Sequence, residues 1–213
     1  MRSILTGAVL AVLSLSAQAY EFDFTARVTY TDGSLSGVSN DTVFSGHFLG
    51  SDPIVDALTL PAANGSFVSY SFQSGEVTAN IAGHSVSAQN PGIVVIDNMG
   101  GNVEDGIDMA SGHAMTLDGT VYDAGSFNFN LSTRHGNTGV IQGSELPNSI
   151  DVSAFDGPSS LTYGALRRDG KQTGTILSYQ VLSVSVVPEP SALALMGLGL
   201  LPLIATARRR AQR

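Results

Sequence analysis

Between residues 20 and 187 the apolar residues tend to recur at every second position, and no stretch sustains a 3.6-residue spacing. Phe22, Phe24, Ala26, Val28 and Tyr30 alternate with Asp23, Thr25, Arg27 and Thr29, and Val68, Tyr70 and Phe72 alternate with Phe67, Ser69 and Ser71. Successive side chains of a strand point to opposite faces, so this pattern predicts half-buried β-strands. Further strands are expected at 43–49 (broken by Gly46), 76–82, 93–97, 115–117, 121–122, 126–131 and 175–187. Thr31-Asp32-Gly33-Ser34 and Asn90-Pro91-Gly92 read as turns, and Asp118-Gly119 as a hairpin. Ser74-Gly75 and Ala82-Gly83 read as short loops within a meander ending near Ala88.

The last strand carries an irregularity. Its apolar set shifts from Leu177, Tyr179 and Val181 to Leu182, Val184 and Val186. A one-residue slip exchanges the two faces unless an extra residue is absorbed, which predicts a β-bulge near Val181-Leu182. Residues 133–160, interrupted by Gly and Pro, read as a long loop or a region with one short irregular strand. The body is therefore expected to be all-β: an antiparallel sandwich or barrel of about ten strands.

The two ends read differently. Arg2 and an apolar run over 4–15 precede Ala17-Gln18-Ala19, the small-x-small pattern that signal peptidase accepts. Residues 1–19 are thus expected to be a signal helix, cleaved after Ala19. At the other end Val187-Pro188-Glu189-Pro190 leads into an uncharged stretch over 191–207, followed by Arg208, Arg209 and Arg210. As a helix that stretch would reach about 26 Å, near the lower limit for a membrane span. Pro188 and Pro190 fit before or within its first turn, and the arginines belong on the cytoplasmic side. The body over 20–187 then faces outward, as a cleaved signal also requires.

This order of motif, short span and terminal basic cluster resembles the PEP-CTERM sorting signal of Gram-negative bacteria. The resemblance covers about residues 187–213 and implies routing rather than activity. It implies that an exosortase removes the tail near Pro188-Glu189-Pro190 after transient anchoring in the inner membrane. The protein would then be released or held at the cell surface, typically among exopolysaccharide and biofilm. A plain single-span anchor is the alternative.

Subtracting the ends changes the charge picture. Only 13% of the chain is charged, against about 25% for an average soluble protein. Residues 20–187 hold five bases and seventeen acids, and residues 28–133 hold eleven acids and no base. So acidic a body makes a nucleic-acid partner implausible. Without cysteine, disulfides, thiol nucleophiles and thiolate metal sites are excluded.

Catalytic signatures are absent from the sequence. Gly33-Ser34-Leu35-Ser36-Gly37 has leucine where a nucleophile elbow needs serine, and residues 164–171 lack the second glycine of a phosphate loop. His47, His84, His113 and His135 lie singly, without metal-binding spacing. Residues 97–108 are the best local candidate for a site. There Asp97, Asn98, Asn102, Glu104, Asp105 and Asp108 offer oxygen ligands of the kind Ca²⁺ takes, although the spacing matches no known calcium loop and a solvated acidic loop is the simpler reading. No other cofactor is expected. A carbohydrate-binding module or secreted hydrolase is the alternative to a non-enzymatic matrix protein. Against it, the chain has no Trp, and Tyr30, Tyr70, Tyr122, Tyr163 and Tyr179 mostly fall at positions expected to be core or half-buried.

Overall fold

The computed structural model describes residues 19–56, 65–98, 105–111, 114–133, 139–143, 145–155 and 161–187. The predicted signal helix, apart from Ala19, and the predicted membrane helix lie outside them. Among the described residues no helix is long and apolar enough to cross a membrane.

Strands β1 (Ala19–Thr31), β2 (Val43–Asp56) and β3 (Ser66–Ile81) are followed by β4 (His84–Gln89), β5 (Pro91–Asp97), β6 (Gly106–Ser111) and β7 (Met115–Leu117). Then come β8 (Thr120–Tyr122), β9 (Ser126–Ser132), β10 (Leu161–Arg167) and β11 (Thr175–Val186). Every pairing is antiparallel, and the ring β1–β2–β3–β5–β6–β9–β10–β11 closes when β11 pairs with β1. Of the two expected architectures, the chain adopts the closed one, an eight-stranded barrel with extra strands. Closure leaves no free edge in the ring.

The three extra strands are continuations of ring strands. β3 pairs with β5 along its first half and with β4 along its second, so β4 and β5 form one arm bent at Asn90 (φ 52). β6 and β7 likewise pair successively with β5 and β4, and β8 runs on towards β9. The barrel is thus an up-and-down meander in which three neighbouring walls are broken once each. The turns at Ala82-Gly83 (φ 51, 95) and Asp118-Gly119 (φ 48, 80) have the left-handed pairs that two-residue hairpins need.

The predicted bulge is present. Thr25 faces Ser183 while Ala26 faces Val181, which leaves Leu182 as the extra residue. Tyr179, Val181 and Val184 can all then point inward. Other expectations need correction. Ser74 and Gly75 are not a loop but pair with Ser51 and Gly50 within β3, where the inward set changes from Val68, Tyr70 and Phe72 to Val77, Ala79 and Ile81. Gly46 does not break β2, which runs from Val43 to Asp56. β6 and β10 were not expected, because Ile107 and Met109 sit among Gly and Asp, and β10 carries an internal Gly164.

Inside, aromatic rings fill the barrel. Phe22 stacks on Phe48 at 4.6 Å, Phe24 meets Phe129 at 5.7 Å, and Phe44 meets Tyr179 edge-on at 5.2 Å. Each such pair contributes about 0.5–1.5 kcal/mol beyond area burial. Inward-facing glycines make the room: a Cβ on Gly46 would lie 2.1 Å from the Phe24 ring, and one on Gly164 2.2 Å from the Tyr179 ring. An eight-stranded barrel is just wide enough for its side chains to fill. Leu35 and Val38, between β1 and β2, close the upper end; Ile141, Ile150 and Phe155, between β9 and β10, close the lower end.

Candidate functional site

The acidic segment lies at the lower end of the barrel. Asp105, just before β6, is wholly buried. Its Oδ1 accepts the Asn98 N–H at 2.9 Å, and its Oδ2 accepts those of Val140 at 2.7 Å and Ile141 at 3.0 Å. Its backbone N–H donates to the Thr133 hydroxyl at 3.0 Å. Asp97 Oδ2 accepts the Gly143 N–H at 2.8 Å, and Asp97 Oδ1 accepts from the Asn98 side-chain amide. Both carboxylates therefore serve backbone N–H groups of the segment between β9 and β10. Asp108 stands apart on the outer face of β6 opposite Asn130; burial pushes its carboxyl up, opposed by the hydrogen bond from Asn130. Asn102 and Glu104 lie outside the described residues. Among the described residues no three His, Asp or Glu side chains converge as a metal site.

Two histidines pair with acids across strands. His47 Nδ1 lies 2.8 Å from Asp23, and its Nε2 is 3.6 Å from Glu21. His84 Nδ1 lies 2.6 Å from Asp118, while its Nε2 lies 2.9 Å from the Ser36 carbonyl. With both of its ring nitrogens facing acceptors, His84 is favoured in its imidazolium form. The hydrogen bond to Asp118, then that to Ser36, raises the His84 pKa above its ordinary value. His84 ties the β3–β4 turn and the β7–β8 turn to the loop that caps the upper end. Among the described residues neither imidazole has a hydroxyl nucleophile as its partner. His113 and His135 lie outside the described residues.

A groove of about 340 Å³ lies on the outer wall of β1, β11 and β10, lined by Tyr30, Tyr163, Arg167, Gln172, Thr175 and Ser178 among others. The register pairs Tyr30 with Ser178 and Tyr163 with Gln180, so the tyrosines flank β11. They are 50% and 44% exposed. Sequence alternation had placed Tyr30 with the core set, but the register shifts between Val28 and Tyr30 and turns the ring outward. The signal was present: Thr29-Tyr30-Thr31 ends the strand beside a turn, where the alternation has no further apolar partner to continue with.

Of the sorting residues, Val187 is described and Pro188, Glu189, Pro190, Arg208, Arg209 and Arg210 lie beyond the described residues. The Val187 N–H donates to the Glu21 carbonyl at 2.9 Å, the last rung between the end of β11 and β1. Pro188, which follows, has no N–H to donate to such a ladder. At the start, Ala17 is outside the described residues, and Ala19 opens β1 opposite Ser51. Cleavage after Ala19 would leave Tyr20, paired with Gly50, as the first rung. Apart from Ala19, the first residue of β1, every strand of the barrel thus lies between the two expected processing points.

No curated protein and no solved structure matches the chain. Residues 186–211 match the family model of the PEP-CTERM protein-sorting motif, so the chain carries that sorting signal immediately after a closed β-barrel.

Proposed function

We propose that this protein is an exosortase substrate whose barrel works, without catalysis, as a component of the surface or extracellular matrix of a Gram-negative bacterium, in association with exopolysaccharide. The single observation that carries the sorting step is the motif at residues 186–211. The placement of Val187 on the last rung supports it, since a cut at or after the motif would free the barrel without breaking a ladder. Signal peptidase would act first, after Ala19, and the inner membrane would hold the precursor only until the exosortase acts.

Several features support a binding or structural role. The barrel interior is packed with rings rather than shaped as a cleft, and the histidine–carboxylate pairs act as cross-strand ties. The acidic segment is engaged by backbone N–H groups, which favours a structural role for Asp97 and Asp105 over Ca²⁺ ligation. Calorimetry with Ca²⁺ should accordingly give no heat and no shift in melting.

Intact mass measurement of the protein recovered from the envelope and the medium tests the sorting reading. The expected mature form starts at Tyr20 and has lost Arg208, Arg209 and Arg210. Replacing Pro188, Glu189 and Pro190 by alanine should leave the tail in place and the protein in the inner membrane. A wild-type mature form that still carries the arginines would make the tail a plain anchor.

A further inference from the structure

The five bases of the body are not spread over it. Residues 28–133 contain none, whereas residues 161–187 contain Arg167, Arg168 and Lys171 against the single acid Asp169. β1 adds Arg27, which the register places opposite Gln180, in the same cross-strand row as Tyr163. Four of the five bases thus lie on β1, on β10 or in the connection from β10 to β11, the elements around the Tyr30–Tyr163 groove, and Arg134 lies outside the described residues.

Local acids are largely engaged. Asp32 accepts from Arg168 at 2.8 Å, and Arg168 also donates to the Ser34 hydroxyl at 2.7 Å. Asp169 Oδ1 accepts the Lys171 N–H at 2.9 Å. Arg167, which lines the groove, is different: its Nε is buried with no hydrogen-bond partner among the described residues.

The tyrosines supply the other half of the chemistry. They are offset by one strand on either side of β11 and by two residues along it. Strand spacing and rise put their Cα atoms roughly 12 Å apart, the reach of a short oligosaccharide rather than one sugar. Each exposed ring offers an apolar face with a polar tip, and Gln172, Thr175 and Ser178 between them offer donors and acceptors. A flat, ring-bearing, polyhydroxylated and anionic chain meets all of these groups at once.

We propose that the groove between Tyr30 and Tyr163 binds an acidic polysaccharide, its sugar rings resting on the two tyrosines and its carboxylates meeting Arg167 and Arg27. This rests on the export reading only in that the ligand lies outside the cell. The acidity of the whole body does not forbid it. At physiological ionic strength charges more than about 8 Å apart are largely screened, so the local bases decide.

The test uses the mature protein purified from the producing cells, in affinity electrophoresis through gels containing polygalacturonate or dextran. Polygalacturonate should retard it at low salt and release it as NaCl is raised, and dextran should not retard it. Tyr163→Ala and Arg167→Gln should each weaken retardation at least tenfold. Ile54→Ala, exposed on β2 where it pairs with Ser71 of β3, should leave it unchanged. Far-UV circular dichroism establishes that each variant is folded; if Arg167→Gln is not, Arg27→Gln replaces it. No retardation by polygalacturonate, equal retardation by dextran, or wild-type retardation of both groove variants would each overturn the proposal. So would phosphatidylglycerol vesicles binding as tightly as polygalacturonate and independently of Tyr163. The mass of the same preparation separates the two readings: a retained tail with full binding sinks the sorting reading alone, and a lost tail without binding sinks the groove alone.

Discussion

The two ends of the barrel solve the same problem with different chemistry. Each must cover an aromatic interior with a long connection. At the lower end the connection between β9 and β10 inserts Ile141, Ile150 and Phe155 and is held by the buried carboxylate of Asp105. At the upper end the connection between β1 and β2 inserts Leu35 and Val38 and is held by side-chain pairs at the surface, Arg168 with Asp32 and His84 with Asp118. A carboxylate out of water that accepts three N–H groups is hard to replace. Exposed pairs compete with solvent and salt, and their net worth is small. The apolar plugs should therefore matter comparably at both ends, while the polar clips should differ widely.

The largest effect expected is that of Asp105→Ala, which orphans the N–H groups of Asn98, Val140 and Ile141 together. At about 1–3 kcal/mol for each buried donor left unmet, a loss of about 4 kcal/mol is expected. Urea unfolding followed by tyrosine fluorescence measures it. A loss below about 1 kcal/mol would mean that the lower clip is no stronger than the upper one, and the contrast between the ends would fail. Phe155→Ala, at 1% exposure, should cost about 3–5 kcal/mol. Leu35→Ala, at 5% exposure, should cost about 2–3 kcal/mol, near the low end for a leucine because its site borders solvent. Plug variants that differed as widely as the clip variants would place the distinction in the loops themselves rather than in their polar anchors.

The sequence made one end more legible than the other, for a physical reason. Asp32-Gly33-Ser34 is a local device, closed by the Ser34 N–H on Asp32 Oδ1 at 2.9 Å, and local devices can be read from adjacent residues. Asp105 acts on residues 35 and 36 positions away, so nothing near it in the chain marks it as structural. Clustered with Asp97 and Asn98, it read as part of a solvated acidic loop with Ca²⁺ ligation as the candidate chemistry, and its carboxylate accepts backbone N–H groups. The bulge at Leu182 was legible because a phase slip is written in one strand. Closure into a barrel was not, because it depends on β11 reaching β1 across almost the whole chain. The groove escaped for a third reason. Alternation assigns a face, and the register shift after Val28 reassigned it for Tyr30. The sorting tail was fully legible, being a linear signal read in order.

Arg168→Gln probes the upper clip on a smaller scale. The pair with Asp32 is partly exposed on both sides, so its loss should cost under about 1 kcal/mol at low salt and less in 1 M NaCl. Partial burial pushes the Asp32 carboxyl up, yet the Ser34 hydroxyl and N–H and the Arg168 guanidinium together bring it below its ordinary 3.8. Its contribution is present above that value and fades as pH falls through the lowered one. Salt-insensitive destabilisation would mean that Arg168 works by packing, through its stem.

The smallest effect belongs to His84, and its size depends on pH in a way that no plug shares. The His84 pKa is raised from 6.5, first by its hydrogen bond with Asp118 and then by the Ser36 carbonyl, so its contribution is complete below 6.5 and is lost as pH rises through the higher folded value. Asp118 is lowered from 3.8, first by His84 and then by the Ser85 N–H, so its contribution is complete above 3.8 and is lost as pH falls through the lower folded value. The clip is at full strength only between those limits. The stability difference between the wild type and His84→Ala should therefore be largest between pH 3.8 and 6.5 and shrink on either side. Phe155→Ala should show no such maximum, because it removes an apolar plug that carries no titrating group. Thermal melts of both variants in steps across pH 3–9 read the two profiles directly. A His84→Ala difference that stayed flat through the window would remove the ion pair from the upper clip and leave the Ser36 hydrogen bond as the tie that His84 itself supplies.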